Sequence, residues 1–187
     1  MDVELSAEAK DKRLNRWVAI TVVLLSVFTG MCNIKDGNIV QAMQQAKSDS
    51  VDRWGEYQAT RTKLHIAETA RAQILVAAGA SPSPPAVAAL ASIDADIAKY
   101  KAETPALAKQ AQGLSDRYDA LNIHDDQFDA SEAAISTAIS IAAVAALVEA
   151  FWLLAGAWIF GAFGLFMGIC GFAGLPFHPD LLSTWLG

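Results

Sequence analysis

The stretch WVAITVVLLSVFTGMCNI, Trp17 to Ile34, runs for eighteen residues without a charge. As a helix it is ~27 Å long, enough to cross the hydrocarbon core of a bilayer. Two further uncharged runs, Ala133 to Val148 and Ala150 to Pro179, are separated only by Glu149. A chain built this way reads as an integral membrane protein. Apolar residues make up 53% of it, and they are gathered at its two ends. The charge sits between, from Lys35 to Asp129.

The basic flank before Trp17, with Lys10, Lys12, Arg13 and Arg16, resembles that of a signal peptide. No small-x-small cleavage site follows, and Met31 spoils TGMC as a lipoprotein box. An uncleaved signal anchor is therefore expected. The basic residues precede the first span, and no Lys or Arg follows Arg117. By the positive-inside rule the N-terminus is cytoplasmic and the middle region periplasmic, in a bacterial inner membrane. Trp17 and Trp152 then share the inner interface, and Phe177, His178 and Trp185 the outer one. A net charge of −6 and the lack of a basic patch exclude nucleic acid as a partner.

The expected fold class is all-α, with three transmembrane helices and a long extramembrane antiparallel helical hairpin. The segments are a cytoplasmic N-terminal stretch 1–16, a first span 17–34, a hairpin 35–129, a second span 130–149, a third span 152–175 and a tail 176–187. The turn between the last two spans has two placements. Glu149–Trp152 keeps the carboxylate at an interface and is favoured; Ala155–Gly156 would bury Glu149 in the membrane, where an ionisable group is a functional candidate.

Five glycines crowd into GAFGLFMGICGFAG, Gly161 to Gly174. Ala157, Gly161, Gly164, Gly168 and Gly171 follow steps of four, three, four and three, which is one face of a helix rather than a phosphate-binding loop. Small residues let another helix approach closely in lipid. Ala134, Ala138, Ala142 and Ala145 form a matching stripe on the second span. Helix packing is favoured over a groove for a lipid or pigment. Cys32 and Cys170 fall at similar depth, and both a disulfide and two buried thiols are open.

SPSPP, Ser81 to Pro85, divides the middle region into two nearly equal arms, with the turn at 80–85. The second arm carries a coiled-coil heptad: Leu90, Ile93, Ile97, Tyr100, Thr104, Leu107, Ala111, Leu114, Tyr118, Leu121 and Phe128, skipping only Asp125. Pro105 predicts a kink. The first arm is more polar, with a best stripe of Val40, Met43, Lys47, Trp54, Tyr57, Arg61 and Leu64. Trp54, Gln58, Arg61, His65 and Glu68 recur at helical spacing with Tyr57 beside them. They read as a polar hairpin seam, with His65 near Tyr100 and Trp54 near Ala111, in preference to a ligand or metal site. His124, Asp125 and Asp126 read as a hydrated collar beside the membrane, since consecutive helical residues do not converge on a metal.

DRWGEYQATRTKLHIAE and HDDQFDASEAAISTAISIAA resemble an uncharacterised family of small bacterial inner-membrane proteins that carry a domain of unknown function. The matching residues are Trp54, Tyr57, Gln58, Ala59, Lys63, His65 and Glu68, then His124 and Phe128. The resemblance runs from about Asn15 to Phe172. It implies one anchor, a helical hairpin and a C-terminal membrane hairpin, and it brings no activity. The family's last cytoplasmic turn often holds arginines, where this chain has Glu149.

No catalytic constellation, metal site or cofactor motif is expected, so the chain is not read as an enzyme. The expected role is a membrane-anchored structural or interaction protein. Its expected partners are membrane lipids and either further copies of itself or other subunits of a membrane complex. The alternative is a small transporter or channel-like protein with Glu149 as its ion or proton group.

Overall fold

The computed structural model describes residues 2–79, 81 and 83–177. Three helices account for nearly all of them: α1 (Asp2–Ala78), α2 (Pro84–Leu147) and α3 (Phe151–Ala173). No strand occurs among the described residues. Each helix is long and apolar enough to cross a membrane. His178, Trp185 and most of the tail lie outside the described residues.

The chain divides into two compact units. The first joins the described residues of Met1–Ala42 to those of Ala120–Gly187. It is a three-helix bundle made of the first part of α1, the last part of α2 and all of α3. One core cluster gathers Leu14 and Val18 of α1, Ala142 and Ala145 of α2, and Leu154 and Ala157 of α3. A second packs Leu25 against Ile135 and Ala138, with Phe28 and Leu165 at its edge. Outward faces stay apolar: Val23, Leu24 and Val27 of α1 and Ile159 and Phe166 of α3 are exposed.

The turn from α2 to α3 is three residues long. Val148 still bonds to the Val144 carbonyl, and the Ala150 amide reaches back to Ala145 at 3.1 Å. Between them Glu149 takes φ 53°, the left-handed residue that ends a helix. Glycine usually fills that slot, because a side chain there costs about 1 kcal/mol or more. At the far end of α3, Gly174 takes φ 65° and closes the helix onto the Cys170 carbonyl.

The second unit is Met43–Asp119, the two helical arms on either side of the proline-rich turn. Its cross-helix contacts fix an antiparallel register. Lys47 lies over the Tyr118 ring at 5.3 Å. Ser50 bonds to Ser115 at 2.9 Å, and Lys101 pairs with Glu68 at 3.1 Å. Arg71 bonds to Asp94. α2 continues through Pro105 as one helix. The proline is exposed, so its ring stays off the packed face, and the Thr104 hydroxyl bonds to the Tyr100 carbonyl just before it.

Candidate functional site

The glycine face of α3 is used inside the bundle, and it receives bulky side chains as well as the alanine stripe. A Cβ on Gly161 would meet Leu25 at 3.2 Å and Ala138 at 3.7 Å. On Gly164 it would meet Ile135 at 2.6 Å and the Ser131 carbonyl oxygen at 2.9 Å. On Gly168 it would strike the Phe28 ring at 2.6 Å, and on Gly171 the Phe128 ring at 2.8 Å. Ala157, Ala138, Ala142 and Ala145 are wholly buried and Ala134 nearly so. The Ser131 hydroxyl donates to the Gly164 carbonyl at 2.8 Å, a bond between α2 and α3. Cys32 touches the same hydroxyl at 4.0 Å. Cys32 and Cys170 are both buried, and neither is in a disulfide.

The hairpin seam differs from the one the sequence suggests. Gln58, Arg61 and His65 are exposed. The His65 ring lies 3.8 Å from Glu68 of its own helix. Trp54 and Tyr57 are half-buried and stack edge to face at 5.4 Å, with Arg61 over the Tyr57 ring. The face of α1 that meets α2 instead runs through Met43, Ala46, Ser50, Tyr57, Thr60, Leu64, Ala67 and Ile74, spaced at threes, fours and sevens. Ala111 is indeed fully buried, but the residue bonded to its carbonyl is Ser50, one turn from Trp54. The physical reason is side-chain length. Alanine, serine and threonine let two helices close on each other, and a hydroxyl satisfies itself on a carbonyl. On the other arm every heptad position from Leu90 to Leu121, Tyr100 included, is buried or half-buried.

Asp125, the residue that interrupts the heptad, stands on the inner face and meets Asp36 of α1. Asp36 Oδ1 is buried without a donor. Two facing carboxyls can bond only if one keeps its proton. Burial, then the charges and contact of Asp125, with Asp129 and Glu132 behind it, push Asp36 up to about 6. Burial raises Asp125 and Asp129 as well. The collar residue Asp125 is thus part of a cross-helix carboxyl cluster. No group of three His, Cys, Asp or Glu among the described residues is arranged to hold a metal. Glu149, the suggested ion group, stands exposed in the α2–α3 turn.

Over residues 14–174 the sequence matches the family model described as a domain of unknown function, DUF4337. The chain belongs to the DUF4337 family. No curated protein and no solved structure matches it. Of the residues that carry the family likeness in this DUF4337 chain, His124 and Phe128 do visible structural work. His124 Nδ1 lies 3.0 Å from Gln127 Oε1, which only accepts, so that ring nitrogen bears the proton. Gln127, fully buried, then donates through Nε2 to the Leu175 and Phe177 carbonyls. Phe128 packs on Phe172 at 5.3 Å. The DUF4337 chain thereby ties the exit of α3 to α2 through one amide. Sequence reading missed Gln127, which stands among His124, Asp125, Asp126 and Asp129 with nothing to single it out.

Proposed function

We propose that this protein is a membrane-anchored structural or interaction protein rather than an enzyme, acting as a homo-oligomer or as an accessory subunit of a larger membrane complex. The observation that carries this reading is how little the hairpin buries. Among the described residues of Met43–Asp119, six are buried: Met43, Ala46, Ser50, Thr60, Ile97 and Ala111. Val51, Ile66 and Val76 are 61%, 64% and 85% exposed. A helix pair covers one stripe on each member, so apolar side chains elsewhere call for another surface. Native mass spectrometry after gentle extraction tests this. The expected result is an assembly of several chains, or one chain with a different subunit. A lone chain with nothing bound overturns it.

The same reading places the protein in a bacterial inner membrane, with its N-terminus in the cytoplasm and the hairpin in the periplasm. Support comes from the basic residues before the first apolar run and their absence after Arg117. A thiol introduced as Ser83→Cys should react with an impermeant reagent added outside the cell, and Ser6→Cys should not. The opposite pattern reverses the orientation.

A further inference from the structure

A groove of about 310 Å³ lies on the outer surface of the bundle between α1 and α3. Trp17, Ile20 and Leu24 form one wall, Trp158 and Ala162 the other, and Gly161 the floor. Trp17 and Trp158 meet edge to face at 6.1 Å. The one side-chain hydroxyl in the lining, that of Thr21, already accepts from Trp158 Nε1 at 2.9 Å. The other polar atom among the lining side chains is the Trp17 indole nitrogen, so the occupant must be apolar along most of its length.

The charge at its mouth identifies the rest of the occupant. Arg13 precedes Trp17 by one turn and, at 3.6 residues per turn, lies within roughly 40° of Trp17, Ile20 and Leu24 on the helix wheel. Arg16 lies next to Trp17. Both arginines are exposed, and among the described residues neither has a carboxylate partner. Glu149 stands in the turn at this end of the bundle without pairing to either. From Trp17 to Leu25 the groove runs ~12 Å along the helix, most of the depth of one leaflet of hydrocarbon, with Arg13 one turn beyond. A cationic stretch beside an apolar groove most of a leaflet deep matches a phospholipid with an anionic headgroup.

We propose that this groove holds an anionic phospholipid, with one acyl chain lying along Ile20, Leu24 and Ala162 beside the Trp17–Trp158 pair and the phosphate against Arg13 and Arg16. Juxtamembrane basic residues favour anionic over zwitterionic headgroups, and two of them amount to roughly thirtyfold in affinity.

Native mass spectrometry of the full chain, titrated with phosphatidylglycerol or with phosphatidylcholine of the same acyl chains, tests the assignment. Wild type should retain phosphatidylglycerol in marked preference. The double variant Arg13→Gln/Arg16→Gln should bring its retention down to that of phosphatidylcholine. Ala162→Phe, which fills the groove from an exposed wall, should lower retention of both. Equal retention of the two lipids by wild type overturns the proposal, as does unchanged retention in either variant. If Ala162→Phe instead lowers the number of chains per particle and leaves lipid in place, the occupant is a helix of a second copy, and the proposal fails. A measurement on unaltered protein guards against misfolded variants. Phosphatidylglycerol brominated on its acyl chains should quench tryptophan emission more than brominated phosphatidylcholine at equal mole fraction. Equal quenching overturns the site.

Discussion

At the scale of single residues, two glycines of α3 separate close packing from mere helix tolerance. A methyl group on Gly164 would come within 2.9 Å of the Ser131 carbonyl oxygen, a backbone atom that cannot rotate away. Gly156, in the same helix, has nothing within 4 Å. Gly164→Ala must part α2 from α3, and overpacking of this kind costs about 1–3 kcal/mol. Gly156→Ala should be neutral or slightly stabilising, since alanine is the better helix former. Thermal unfolding of both variants in the same detergent checks this. Equal melting temperatures would mean that the face is not tightly packed. The spacing of these glycines was legible in the sequence. What they touch was not, because Phe28, Ile135 and Phe128 come from other helices and no local pattern marks them as the knobs.

At the scale of elements, the two arms of the hairpin show where sequence reading works and where it stops. The second arm turns Leu90 through Leu121 inward at heptad spacing, buried or half-buried, and large apolar side chains announce that pattern. The first arm packs through Ala46, Ser50, Thr60 and Ala67, whose short side chains carry little hydropathy. Weight given to Trp54, Arg61 and His65 turned the expected face away from the true one. The register rests on Ser50, which reaches both the Ala111 carbonyl and the Ser115 hydroxyl. Ser50→Cys with Ser115→Cys should therefore form a disulfide between α1 and α2 on mild oxidation, seen as a linked peptide after digestion. His65→Cys with Tyr100→Cys should cross-link far less, because His65 faces solvent. The reverse outcome would mean that α1 turns a different face to α2 in the same register. Asp125 is the other lesson at this scale: a carboxylate in a heptad slot reads as an interruption, yet the slot still points inward and carries the charge to Asp36.

At the scale of the whole molecule, charge is polarised along the bundle. Arg13 and Arg16 stand at one end of it, and Asp36, Asp125, Asp129 and Glu132 gather at the other. The acidic end makes folding sensitive to pH. Asp36 is raised to about 6 in the folded chain, against about 3.9 when unfolded. The folded state therefore holds the proton more tightly. Its contribution is complete below pH ~3.9, declines as pH rises, and is gone above the folded value. Stability from this group should fall between pH 5 and pH 7. Asp36→Asn, which keeps the shape without the charge, should melt higher than wild type at pH 7.5 and lose the difference between the two pH values. A wild type with the same melting temperature at pH 5 and pH 7.5 would show that the pair does not share a proton.

The glycine face also carries a consequence for descent. At Gly164 the obstacle is the Cβ itself, the one atom every other residue has. No conservative replacement exists there, because alanine fails for the same reason as tryptophan. Selection can keep that codon or move two helices at once, and single-step evolution offers nothing between. Among descendants of a common ancestor, Gly164 should be fixed while Gly156 drifts freely within one helix. Where Gly164 does change, the spacing of α2 and α3 at Ser131 and Ile135 should have widened with it, since backbone atoms of both stand in the way.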